Sequence, residues 1–148
     1  MVNTSLIGKT YPPLQMDVEK QRLRFFAKAT GQTDPVYFDE EAAKAAGHPT
    51  LLAPPTFLTT VPVESRTPFQ FLDELNIDLA RVLHGGQSYS YHVPVYAGDR
   101  ITLKRKIKDV YHRRGSNVQF VVLKETYTNQ HDQLVASSTI TLVVKEVP

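Results

Sequence analysis

The spacing of apolar residues changes partway along the chain, from recurrence at three and four residues to alternation at two. In the first part Leu23, Phe26, Ala27 and Thr30 repeat at helical spacing, which predicts a helix from about Val18 to Thr30, capped by Asp17 and stopped by Gly31. A second short helix is expected across Glu40 to Ala46. Asp39 serves as its cap, Glu40 and Lys44 are paired at four residues, and Gly47 ends it. Between them Pro35 forces Asp34 out of helical geometry, so Gln32 to Phe38 reads as an ordered loop. Pro54-Pro55 and the following TFLTTV predict a more apolar, buried helix over Pro55 to Val63, and Phe69 to Leu75 reads as a further helical turn. Leu6 to Leu14, broken by Pro12-Pro13, reads as an extended lead-in with one short strand.

Beyond this the segments SYSYHVPVY, ITLKRKIKDVYH, VQFVVLKETYT and LVASSTITLVVKEV are rich in Val, Ile, Thr and Tyr. Breaks at Ala97-Gly98-Asp99, Gly115-Ser116-Asn117 and Asn129 to Gln133 divide them, and four long strands are expected in antiparallel succession. In the second, Ile101, Leu103, Ile107 and Tyr111 share one face while Thr102, Lys104, Lys106 and Lys108 share the other. Helices followed by a sheet with one apolar face make an α+β domain, and the Pro55 to Val63 helix is the natural cover for that face.

Composition narrows the function classes. With 148 residues, 41% of them apolar and 22% charged, the chain fits one domain over residues 1–148. The formal charge of +2 gives no argument for a nucleic-acid partner. No stretch reaches the roughly eighteen apolar residues of a membrane span, and MVNTSLIGKT resembles no export signal, so a cytoplasmic location is expected. Without cysteine there are no disulfides or thiol nucleophiles. His84 and His92 share strand parity but stand about 26 Å apart in extended chain, too far to share a metal unless Gly85-Gly86 folds the chain back, and no metal site is expected. The series Lys104, Arg105, Lys106, Lys108, Arg113 and Arg114 has two readings. It is either a solvated strand face or a contact for phosphates or an acidic carrier protein, with Lys104 and Lys106 the residues singled out.

Three pieces in order, FAKATGQTDPVYFDEEAAKAAG, LLAPPTFLTT and VPVYAGDRITL, resemble the MaoC-like dehydratase family, and the similarity covers nearly the whole chain. The match is specifically to its N-terminal-type, non-catalytic hot-dog domain, as in the substrate-binding subunit of mycobacterial (3R)-hydroxyacyl-ACP dehydratases. The resemblance implies a single hot-dog fold, an antiparallel sheet wrapped around a central helix. Catalytic members read G-D-x-N-P-L-H in the loop, the Asp and His moving protons to and from an enoyl thioester and water. Aligned on Gly31 and Pro35, this chain has Gln32 at the Asp position, Asp34 at the Asn position and Tyr37 at the His position. A chain so altered is implied to pair with a second hot-dog subunit carrying the dyad, and to contribute part of an acyl-binding tunnel. Leu51, Leu52, Pro54, Pro55, Phe57 and Leu58 are the candidates for the tunnel, with ordinary core packing as their other reading. No cofactor is implied beyond the coenzyme A or acyl carrier protein borne by the substrate. Two alternatives stay open. One is a self-sufficient homodimeric hydratase using Asp34, Tyr37 or His84, with His84 otherwise a structural residue near the subunit contact, and the other is a non-catalytic acyl-thioester binding module.

Overall fold

A computed structural model describes residues 2–146, so the last residue of the expected fourth long strand, Val147, lies outside the described residues. Five antiparallel strands form one sheet: β1 (Leu14–Asp17), β2 (Val82–Tyr91), β3 (Arg100–His112), β4 (Val118–Thr128) and β5 (Leu134–Lys145), in the order β1-β3-β4-β5-β2. The helices are α1 (Lys20–Ala29), α2 (Glu40–Ala45), α3 (Thr60–Val63) and α4 (Gln70–Glu74). Only β3, β4 and β5 form the expected succession. β2 is hydrogen-bonded to β5 at one edge and β1 to β3 at the other, so residues 92–99 carry the chain across the sheet.

β2 also begins six residues before the expected SYSYHVPVY strand and stops at Tyr91. Pro94 lacks the N–H that a ladder needs, and beyond Tyr91 the chain meets a different partner, with a single bridge joining Leu52 and Tyr96. Within β2 the register shifts between His84 and Gly86. In β3 a shift between Ile107 and Asp109 inverts the alternation, so Val110 is buried and Tyr111, expected inside, is exposed.

The helix expected over Pro55 to Val63 forms in two pieces, a 3-10 turn at Phe57–Thr59 and α3. Thr56 delays its start by adopting a left-handed φ of 67°, rare for a β-branched residue, while the Tyr91 hydroxyl accepts its N–H at 2.8 Å. Phe57, Leu58 and Val61 are nonetheless buried on Met16, Leu23, Ile101 and Leu103, so this segment is the cover the sheet required. Asp39 caps α2 as expected, but Asp17 does not cap α1, because its carboxylate accepts from Arg100 instead. The expected Glu40–Lys44 pair also rearranges: Lys44 meets Glu41, while Glu40 joins Lys20 and the Thr50 hydroxyl.

The interior is two apolar clusters, not one. The first surrounds α1 and α3, and the second packs Phe71 and Leu72 of α4, with Leu75 just beyond it, on Ile107, Leu123 and Leu142. Between them runs a polar belt. Cross-strand register aligns Arg105, Glu125, Ser138 and Tyr89 in one row on the inner face. Glu125 is fully buried; its Oε1 accepts from Arg105 Nε at 2.8 Å and Nη2 at 2.5 Å, and its Oε2 accepts from the Tyr127 hydroxyl at 2.5 Å. Gln87 extends the belt by donating to Tyr89 and Ser138. Arg105, grouped by sequence with the surface lysines, therefore points inward.

Candidate functional site

Hydrogen bonds place two non-regular segments side by side at one end of the sheet. Ala53 N–H donates to the Val95 carbonyl at 2.8 Å and Ala97 N–H to the Leu51 carbonyl at 3.0 Å, while Leu52 N–H reaches the Val36 carbonyl of the loop at 3.3 Å. His48 and Tyr96 steady the join through a 3.0 Å side-chain contact. The groove left between these segments has a volume of roughly 340 Å³, and Leu52, Pro54, Pro55, Phe57, Leu58 and Tyr37 line it.

Five of the six apolar positions expected at a tunnel thus share one cavity. Leu51 does not, because its side chain is fully buried in the first core cluster. The opposite wall, Tyr91 to Val95, escaped the sequence reading, although Pro94 within the expected strand was the signal that the chain leaves the sheet there. Tyr91 stacks on Tyr89 with ring centroids 5.5 Å apart, and Tyr89 leans on Tyr127, so an aromatic series leads from the groove to the polar belt.

Among the loop residues only Tyr37 reaches the groove. Burial pushes its phenol above the ordinary value, and the nearby Asp34 charge adds to the shift. Asp34 is exposed and structural: its Oδ1 accepts the Val36 N–H at 3.1 Å and caps the 3-10 turn at Pro35–Tyr37. Gln32 follows the end of α1, its N–H bonded to the Ala27 carbonyl, and does not line the cavity. His84 lies exposed on β2, seven residues and about 23 Å of extended strand from Tyr91. Within one chain His84 therefore stands apart from Tyr37 and its neighbour Asp34, and His92 brings an imidazole to the groove. Lys104 and Lys106 project from the outer face of β3, opposite in parity to buried Leu103 and Ile107, and neither borders the groove.

The tyrosines behind the groove carry a pH signature. Burial pushes Tyr89 up to about 12, and burial followed by the Glu125 charge raises Tyr127 further. Because these folded-state values exceed the unfolded value of about 10, the neutral phenols stabilise the fold fully below that pH, and the contribution fades as pH rises through about 12. Unfolding midpoints are expected to fall over this window together with a rise in tyrosinate absorbance, and to fall less in Tyr89→Phe. Stability flat across that range would contradict the assignment.

The family model described as "FAS1-like, dehydratase domain region" matches residues 5–138. A UPF0336 protein of Streptomyces griseus is 35% identical over 145 residues, covering 97% of this chain and 95% of its own. Among solved structures, the C-terminally truncated HadBC (3R-hydroxyacyl-ACP dehydratase) complex of Mycobacterium tuberculosis includes a chain that superposes with a TM-score of 0.80 at 29% identity. That match covers 93% of this chain and 96% of the other. A MaoC-like dehydratase superposes with a TM-score of 0.84 at 19% identity, covering 97% of this chain and 43% of that one, and shares the hot-dog fold.

Proposed function

Because the chain belongs to the family of FAS1-like dehydratase domain regions, we propose that it is the substrate-binding, dyad-less subunit of an (R)-specific enoyl-thioester hydratase or 3-hydroxyacyl-thioester dehydratase. It acts with a second hot-dog subunit that carries the Asp and His. The observation that carries this reading is the groove itself, a largely apolar cleft bordered by His92 and by Tyr37, which the resemblance aligns with the dyad histidine, with no carboxylate among its described lining residues. Adding water across an enoyl thioester requires one proton placed on carbon and one taken from water. A phenol held above its ordinary pKa keeps its proton through neutrality, so Tyr37 serves as a hydrogen-bond donor to the thioester carbonyl and not as a base. Leu52, Phe57 and Leu58 hold the acyl chain, and the partner moves the protons. The relative from Mycobacterium tuberculosis, itself described as a complex, supports the two-subunit arrangement.

The purified chain is expected to hydrate crotonyl-CoA no faster than buffer, and to support turnover when mixed with a dyad-bearing hot-dog subunit. Turnover by the chain alone, lost in Asp34→Asn or His84→Gln, would replace this reading with the self-sufficient one. Acyl-CoA binding without turnover alongside any such partner would leave a binding module.

A further inference from the structure

The outer face of the sheet, opposite the two core clusters, carries an apolar row that crosses four strands. Cross-strand register sets Tyr111 of β3 against Phe120 of β4, Phe120 against Val143 of β5, and Val143 against Leu83 of β2. Tyr111 and Leu83 are 44% and 52% exposed, and Phe120 and Val143 are half-buried. The Tyr111 and Phe120 rings stack with centroids 4.9 Å apart, so one end of the row is a fixed aromatic platform.

Cations flank this row on both sides. Lys145 and Arg113 lie two residues beyond Val143 and Tyr111, and Lys124 and Lys106 lie across the other border, directly opposite each other in the register. Like charges so placed destabilise a sheet, and among the described residues none of these four belongs to an ion pair. Asp109, between Lys106 and Tyr111, joins no ion pair either, and its carboxylate accepts the Val110 N–H at 2.8 Å. A local cost kept without a compensating contact marks a surface that something else completes.

We propose that this face docks an acidic amphipathic helix of a partner protein, laid across the strands with its apolar stripe on Leu83, Val143, Phe120 and Tyr111 and its carboxylates toward the flanking cations. Strands about 4.8 Å apart give a row of about 14 Å, and a helix repeats its stripe about every 5.4 Å, so three turns span it. Acidic side chains on a helix about 10–12 Å across extend toward Lys145 on one side and Lys124 on the other. A second copy of this chain is a poor occupant, because a two-fold contact through the row would set cations against cations. None of these residues borders the acyl groove, so the inference goes beyond the proposed function and does not depend on it.

The probe is a fluorescently labelled helical peptide of about fifteen residues with leucines on one stripe and glutamates beside it, titrated into the whole chain alongside a twin with lysines for the glutamates. The Glu peptide is expected to bind, to lose about tenfold in affinity as salt rises to about 0.5 M, and to shift the amide NMR signals of Phe120 and Val143. The Lys twin should not bind. Lys106→Glu and Phe120→Ser should each weaken the Glu peptide about five- to tenfold. Without peptide, Lys106→Glu should leave thermal stability unchanged or raised, because it turns two opposed like charges into a pair. Leu52→Asp, in the groove, should leave peptide affinity unchanged. The proposal is overturned if the Glu peptide fails to bind at about millimolar concentration, whether or not phosphatidylglycerol vesicles bind in its place. Equal binding of the Lys twin, or unaltered affinity in folded Lys106→Glu and Phe120→Ser, would overturn it as well.

Discussion

Replacing Glu125 by alanine is expected to destabilise the protein by about 3–5 kcal/mol, the largest effect of any single polar substitution in this fold. The carboxylate is fully buried and accepts from Arg105 and Tyr127, so its removal strands a guanidinium that is itself only 12% exposed. Losing one half of such a pair costs far more than losing both, since the remaining charge keeps its desolvation penalty without compensation. The double variant Arg105→Met, Glu125→Leu should accordingly recover most of the loss. Equilibrium denaturation of Arg105→Met, Glu125→Leu and the double variant closes the cycle. A Glu125→Ala loss below about 1 kcal/mol would mean that water reaches Arg105 and that the belt is not sealed.

An aspartate at Leu52 is the corresponding test of the groove. Leu52 is half-buried on the cavity wall, and its backbone, not its side chain, ties the segment to Tyr96. The substitution should therefore leave the fold intact while setting a carboxylate against an acyl chain bound as proposed. Binding of octanoyl-CoA, to the chain or its complex, is expected to weaken at least about a hundredfold, since burying an unpaired charge costs several kcal/mol. Leu52→Ala should weaken it only modestly, by the lost apolar contact. Thermal unfolding measured beside affinity distinguishes a blocked groove from a damaged core. Unaltered octanoyl-CoA affinity in folded Leu52→Asp would show that the acyl chain lies elsewhere.

What could be read from the sequence follows from how local each signal is. Asp39 and Asp34 cap within two or three residues of themselves, so both roles follow from type and spacing alone. The five groove residues between Leu52 and Leu58 were legible because they are contiguous, and because the motif that carries the family resemblance contains them. Tyr111 was misplaced because one bulge residue inverts every later face, and nothing in KIKDVYH marks it. Arg105 was mistaken for a surface charge although its odd parity matches Leu103 and Ile107. Its neighbours in type outweighed its position. Glu125 and the Tyr91 to Val95 wall depend on pairings from distant parts of the chain, of which the sequence marks only, through Pro94, that the chain leaves the sheet.

The strand order also bears on how the chain is made. Among the described residues β2 is hydrogen-bonded to β5 alone, so residues 82–91 cannot be seated in the sheet until synthesis has passed beyond about residue 140. For much of its time on the ribosome this segment is a strand without a ladder, the kind of sequence that pairs with the wrong neighbour. Its composition suits that wait: LHGGQSYSY places two adjacent glycines and the polar His84, Gln87, Ser88 and Ser90 where a core strand would carry Val and Ile. A chain that joins other chains slowly while it waits reaches its own last strand first.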